Sequence, residues 1–367
     1  FQIKRVELGD GSSMFCMWIS RDPHEPGEGG RSCASLTLAS SFNSTIDQSL
    51  ASLSLGEVRT LEKSNENTKK SVEPEYDPDQ GPYNQHYQTL TSIGKGAFGF
   101  VKLGRHRSDG KEVVVKFIQK KKVNKQSWVV DKQHGRTPLE VNLLRKLDHP
   151  NIVKVVDVFE NDLFVQMVME KHGLGMDLFE FIDRCPRMDE ALASYIFRQM
   201  VAGISYLHSK NILHRDVKDE NIILDERFHI KLIDFGAAAY MEPGKLFGTF
   251  CGTLEYCSPE VISGNKYRGP ELEIWSMGVT LYTLVFGENP FFDVDETIAG
   301  ILNPPCQQSN ALMFLISWML HTDPRCRATI NDLEENAWVN QEIDVNNYIW
   351  EEVLPNCGKY FTWIETG

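Results

Sequence analysis

His214-Arg215-Asp216-Val217-Lys218-Asp219-Glu220-Asn221, followed thirteen residues after Asn221 by Asp234-Phe235-Gly236, decides the reading of this 367-residue chain. The two acids sit among short apolar runs, Ile222-Ile223-Leu224 and Ile230-Lys231-Leu232-Ile233, which read as strands bracketing a tight turn. Asp216 is placed to take a hydroxyl proton, and Asn221 with Asp234 supplies hard oxygen ligands that suit Mg2+ on nucleotide phosphates. A lone Asp-Phe-Gly is common by chance. The eight-residue string at this distance from it is highly specific.

Upstream, Ile93-Gly94-Lys95-Gly96-Ala97-Phe98-Gly99-Phe100-Val101 has glycines spaced to let backbone amides approach phosphates. The same spacing occurs in dinucleotide-binding turns, which need a strand before and a helix after. Here Val101-Lys102-Leu103, a Ser108-Asp109-Gly110 turn and Glu112-Val113-Val114-Val115-Lys116-Phe117-Ile118 read as a hairpin, and the dinucleotide reading fails. Thr137-Pro138-Leu139-Glu140 then opens a segment with Leu139, Leu143, Leu144 and Leu147 on one face. Glu140 is either a capping-box partner of Thr137, with Pro138 at the first helical position, or the ion-pair partner of Lys116. Its position ten residues before Pro150 favours the ion pair.

Taken in order, these motifs resemble the protein kinases. The resemblance implies an α+β, two-lobed fold with an antiparallel N-lobe sheet carrying one main helix and a mostly helical C-lobe. It implies ATP and Mg2+ as cofactors. The nucleotide would be held by Ile93, Gly94, Lys95, Gly96, Ala97, Phe98, Gly99 and Val101 of the loop and by Val114 and Lys116 of the next strand. Met169, Glu170 and His172 of the hinge, then Asp177, Ile223 and Asp234, would complete that set. Catalysis would fall to Asp216, Lys218 and Asn221, supported by Lys116 and Glu140, with Asn221 and Asp234 on the metal. Gly252-Thr253-Leu254-Glu255-Tyr256-Cys257-Ser258-Pro259-Glu260 would close the activation segment, and Glu260 would pair with Arg327 of Asp323-Pro324-Arg325-Cys326-Arg327. Lys218, two after the base, implies serine/threonine rather than tyrosine substrates. Asp177 and Glu220 align with positions that contact basic side chains before the target. A catalytically inactive scaffold or sensor of the same fold is the alternative; Lys116, Asp216 and Asp234 all speak against it.

A narrower resemblance follows from Val168-Met169-Glu170-Lys171-His172-Gly173, Phe250-Cys251-Gly252-Thr253-Leu254-Glu255-Tyr256-Cys257 and Tyr267-Arg268-Gly269-Pro270-Glu271-Leu272-Glu273-Ile274-Trp275-Ser276-Met277-Gly278. Together they are similar to the PAS kinases, within the calmodulin-dependent-kinase-like group, and imply nutrient- or energy-linked signalling. Three residues depart from the pattern of related kinases. Glu273 stands for the usual aspartate before Trp-Ser-x-Gly, so a longer side chain must hold the catalytic loop. Val114 stands for an alanine, which tightens the adenine pocket. Ala237 stands where related kinases carry a lysine that helps bind a loop phosphate, leaving Arg215 and Arg136 as the cations for one on Thr249. The loop is therefore expected to rest on its own packing, through Phe247, Phe250 and Tyr256.

Around this domain the chain reads differently. Residues 1–20 resemble the last strands of a truncated PAS-like sheet, with Ile3–Leu8 and Met14–Ile19 as a hairpin; lacking an initial Met, the chain reads as a piece of a longer protein. Residues 21–86 read as a disordered serine-rich linker, because Phe42 is the only aromatic between Arg21 and Glu75 and such a segment cannot bury enough surface to offset its entropy. The kinase domain is expected over 87–340, N-lobe 87–170 and C-lobe 173–340, with 341–367 as a tail. No apolar run reaches the length of a membrane span. Eight cysteines without CxxC spacing read as reduced core thiols. A cytoplasmic enzyme, also able to be nuclear, is expected to act on protein Ser/Thr targets under control of an N-terminal PAS region, without nucleic acid. Its net charge of −13 is compatible with basic substrates but adds little.

Overall fold

The computed structural model describes residues 2–7, 13–18, 77–96, 98–248 and 252–354. At the N-terminus, Gln2–Glu7 pairs antiparallel with Ser13–Trp18, from Gln2 opposite Trp18 to Glu7 opposite Ser13, the hairpin expected there. The remainder forms two compact units, each with its own elements.

The first unit is a five-stranded antiparallel sheet. Its strands are Tyr87–Gly96, Gly99–His106, Glu112–Gln119, Phe164–Glu170 and Val155–Glu160, hydrogen-bonded in that order. Register separates its two faces, because cross-strand partners and residues two apart point the same way. Val113, Val115, Phe117, Phe164 and Val168 belong to one buried cluster with Tyr83 and Tyr87. The other face carries Val101 opposite Lys116 opposite Met167, and Leu103 opposite Val114 opposite Met169. The short helix Pro82–His86 belongs to this unit. Tyr83 is fully buried and stacks on Tyr87 at 5.7 Å, while Asn161 and Gln166 donate side-chain hydrogen bonds to the Pro78 carbonyl. Residues 77–86 are therefore part of the folded sheet unit, and the linker expected through 86 is corrected at that end; its earlier stretch lies outside the described residues.

The second unit is mainly helical. Glu190–Ser209 buries Leu192, Ile196, Met200, Ile204 and Leu207, a stripe at helical spacing, and Asp189 caps it by accepting from Leu192 N. Pro270–Phe286 is almost wholly buried, with Gly287 in the left-handed conformation as its stop. Leu139–Leu144 groups with this unit rather than with the sheet, contrary to the expected N-lobe of 87–170. The reason is local: Asn151 Nδ2 donates to the Ile230 carbonyl, Val153 N to the Leu232 carbonyl, and Asp148 N to the Tyr206 hydroxyl. Before that helix stands a hairpin, Trp128–Asp131 with Gly135–Pro138. The expected tail from 341 is also partly corrected. Trp350, Val353 and Leu354 are buried, and Tyr348 donates to the Asp189 carboxylate. Among the described residues no helix is long and apolar enough to cross a membrane. Of four described free cysteines only Cys257 is buried; Cys185, Cys306 and Cys326 are exposed, so the core-thiol expectation holds for one of them.

Candidate active site

The turn that carries Asp216 is held in a costly backbone shape. Arg215 and Asp234 both take positive φ, 62° and 57°, which L-residues avoid unless surroundings over-determine it. The surroundings do so. Glu273, 1 % exposed, accepts His214 N at 2.5 Å and Arg215 N at 2.7 Å through Oε1, and bonds His208 Nε2 at 2.6 Å through Oε2. Burial alone would raise the Glu273 carboxyl; the His208 bond and the backbone donors outweigh it and hold it below its usual value. The longer side chain thus serves two elements, the catalytic turn and the helix ending at Ser209. His208 was invisible as a partner in the sequence, since nothing local ties it to a residue 65 positions on.

Asp216 itself is anchored on one oxygen only. Asn221 Nδ2 donates to the Asp216 carbonyl at 2.7 Å and to its Oδ2 at 2.9 Å. Oδ1 is buried and has no hydrogen-bond partner. Because both Asn221 bonds use its amide nitrogen, the oxygen of that amide lies on the opposite branch. Ile233 N donates to the Asn221 carbonyl at 3.0 Å, which ties Asn221 to the strand leading into Asp234. Asp234 Oδ1 accepts Gly236 N at 3.2 Å, and Phe235 is buried edge-on against His214 at 4.7 Å. Amide and carboxylate oxygens are the donor type that fits Mg2+, which keeps phosphates and waters among its six ligands.

Lys218 is drawn into the same cluster. Its Nζ lies 2.6 Å from Glu220 Oε2 and 2.8 Å from Thr253 Oγ1. Burial pulls the ammonium down, but Asp216 and Glu220 more than reverse this, and its pKa is raised. Glu220 therefore spends part of its charge on Lys218, which modifies the expectation of Glu220 as a dedicated peptide contact. Asp177 accepts Glu180 N at 2.7 Å, and burial, with Glu180, Asp219 and Glu220 adding repulsion, pushes it up to about 6.

The activation segment is stitched to this loop by Tyr256, one of the expected packing residues, and by Gly252, to which motif reading gave no such role. Tyr256 donates to Asp219 Oδ1 at 2.8 Å, and a Cβ at Gly252 would stand 3.0 Å from the Arg215 carbonyl and 3.1 Å from Asp216 Oδ1. Only glycine passes there without crowding the base. Glu260 and Arg327 form the expected buried, bidentate pair at 2.8 and 2.9 Å, and Arg327 also stacks over Trp275. Arg215 donates to the Ala237 carbonyl at 2.7 Å and lies over the Phe247 ring, which in turn stacks on Tyr267. Arg136 sits in the Gly135–Pro138 strand and is exposed. Thr249, Phe250 and Cys251 lie outside the described residues.

In the sheet unit, Lys116 is 6 % exposed on the face shared with Val101, Val114 and Met169. Ile93 is exposed, and Gly94 pairs with Val101. A Cβ at Gly94 or Gly96 would meet nothing within 4 Å, whereas one at Gly99 would lie 1.7 Å from the Phe117 carbonyl. The third glycine is thus there for strand contact, and the first two keep the loop open. Lys95 is exposed, Phe98 half-buried, and Ala97 outside the described residues. Glu170 ends its strand opposite Val113. In the helical unit, His172 bonds the His229 carbonyl at 2.8 Å, Ile223 is half-buried opposite Asp177, and Glu140 is buried. The capping-box alternative for Glu140 is excluded: Thr137 continues the strand, Pro138 occupies the N-cap with no side-chain bond, and Thr137 Oγ1 is buried without a partner.

Comparison with known proteins matches residues 87–339 to the protein kinase domain. The chain is 50 % identical over 355 residues to the PAS domain-containing serine/threonine-protein kinase of Mus musculus, covering 96 % of this chain and 26 % of that one. It is 40 % identical over 260 residues to the serine/threonine-protein kinase PSK1 of Saccharomyces cerevisiae, 69 % of this chain and 19 % of that one. It is equally identical over 260 residues to the NUAK family SNF1-like kinase 2 of Rattus norvegicus, covering 40 % of that protein. The chain thus spans from about a fifth to two fifths of these relatives' lengths.

Proposed function

The chain belongs to the protein kinase family, and from that premise we propose that it transfers the γ-phosphoryl group of ATP to serine and threonine hydroxyls of proteins. The observation that supports Asp216 as the base is its buried Oδ1, an acceptor with no donor of its own. A substrate hydroxyl donating there would be oriented and deprotonated as it attacks, while the Asn221 bond keeps the other oxygen fixed. Lys218, already positioned by Thr253 and Glu220, offsets charge as it develops. Lys116, Asn221 and Asp234 would hold ATP-Mg2+, which supplies the phosphoryl group and neutralises its oxygens when bound. The contribution of this chain is positioning and electrostatics.

Asp177 and Glu220 favour peptides with Arg or Lys before the target. The PAS-kinase likeness supports nutrient-linked signalling, regulation by a PAS region and a cytoplasmic, also nuclear, setting. Radiolabelled transfer from ATP-Mg2+ to a degenerate peptide array tests the reading in one measurement. Label on Ser and Thr peptides with basic residues upstream is expected; no transfer, or transfer to tyrosine alone, overturns it.

A further inference from the structure

We propose that Asp131 is a positioning residue for phosphoryl transfer: through Asn142 and Lys146 it sets the rotation of the helix Leu139–Leu144 and so the place of Glu140. The proposal rests on the kinase reading above, which gives Glu140 a supporting role in catalysis.

That helix has little of its own to fix it. It is six residues long, and isolated helices below about 12–15 residues are marginal in water. Pro138 stands at its N-cap without a side-chain bond. Val141, Leu143 and Leu144 are buried, which holds the helix down. Apolar burial is not directional, however, and permits a turn about the helix axis. A rotation of that kind would carry Glu140, itself buried, out of its setting.

Asp131 supplies the missing directional tie by dividing its two oxygens. Oδ1 accepts Gln133 N at 2.9 Å and His134 N at 3.2 Å, which closes the turn of the hairpin Trp128–Asp131 with Gly135–Pro138. Oδ2 accepts Asn142 Nδ2 at 3.0 Å and Lys146 Nζ at 2.8 Å. Lys146 also donates to Asn142 Oδ1 at 3.0 Å, so the three groups form a closed ring of bonds. Asn142 and Lys146 are four residues apart and share one face, whereas Glu140, two before Asn142, lies about 200° round the helix. The clamp therefore grips the side away from Glu140, where it fixes the rotation without crowding the acid. The strand Gly135–Pro138 runs into Leu139 with no residue between, so hairpin and helix are joined by chain at one end and by Asp131 at the other. Lys146, the Gln133 amide and Asn142 hold the Asp131 carboxyl well below the usual carboxylate range, and it stays ionised near neutral pH.

The test uses the whole chain with ATP-Mg2+ and an Arg-containing Ser peptide. Asp131→Asn keeps an oxygen for the turn amides but aims an NH2 group at Asn142 and Lys146. It should lower kcat/KM for ATP roughly tenfold, leave KM for the peptide unchanged, and speed hydrogen exchange at 139–146. Lys146→Met, which leaves the hairpin turn intact, should show the same pattern at smaller size. Glu140→Gln should also lower kcat/KM for ATP, and adding Asp131→Asn to it should cost less than about twofold more, because both act through one carboxylate. Losses that multiply, a fully active Glu140→Gln, or an Asp131→Asn enzyme as active as wild type overturn the proposal. If Asp131→Asn does not fold, Lys146→Met combined with Glu140→Gln decides by the same cycle. No transfer by wild type is instead a failure of the kinase reading. Exchange at 139–146 in Asp131→Asn then decides the clamp: faster exchange supports it and unchanged exchange overturns it.

Discussion

The catalytic turn of the helical unit and the glycine-rich loop of the sheet unit are built in opposite ways. Around Asp216 a backbone with two positive-φ residues is held by Glu273, His208, Asn221 and Tyr256, and among the described residues Asp216 Oδ1 is a buried acceptor without a partner. Around Gly94 and Gly96 nothing comes within 4 Å of an added Cβ, and only Gly99 is tightly packed. The difference teaches where preorganisation is placed: fixed dipoles surround the point of bond-making, and freedom is left where the nucleotide must enter and leave.

The sharpest way to break this contrast is Asp216→Asn. It should lower kcat by about 10²–10⁴-fold while ATP affinity by calorimetry stays unchanged, since the amide keeps the shape and loses the base. Next is Glu273→Ala, which strands His214 N and Arg215 N without their acceptor. Each buried unsatisfied amide costs about 1–3 kcal/mol, so both the melting temperature and kcat should fall, with recovery in Glu273→Gln marking the bonds rather than the charge. Within the glycine-rich loop, Gly99→Ala should destabilise by about 1–3 kcal/mol through overpacking against the Phe117 carbonyl. Gly96→Ala should leave the denaturation midpoint unmoved.

The smallest effect concerns Asp177, which burial raises to about 6. Its neutral form dominates below that pH and its carboxylate above, and only the carboxylate attracts an Arg guanidinium. KM for an Arg-containing peptide should therefore fall as pH rises from 5 to 7, by up to roughly tenfold, with no such trend for a neutral peptide. Asp177→Asn, which still caps its helix, should flatten the curve.

Much of this was legible from residues alone because the signals were local. The hairpin across Ser108-Asp109-Gly110 and the Glu260–Arg327 pair follow from turn chemistry and motif order. What was not legible depends on distant partners. Residues 77–86 read as linker because their composition is polar, and they are ordered by Asn161 and Gln166, about 80 positions on. The capping alternative for Glu140, weighed beside the favoured ion pair, fell only because the Gly135–Pro138 strand claims Thr137. Asp131, an ordinary turn residue in sequence, gathers Lys146, Asn142 and His134 between hairpin and helix. The contact of Glu220 with Lys218 was likewise unread, because the motif assigns the two residues separate roles.

The central claim is that the Asp216 turn is assembled before nucleotide arrives and the glycine-rich loop is not. Hydrogen exchange of the unphosphorylated chain, with and without a non-hydrolysable ATP analogue and Mg2+, measures this directly. Amides of 214–221 should be slow in both states with little change, while those of 94–99 gain protection only with nucleotide. Fast exchange at 214–221 that becomes slow on binding would contradict the account.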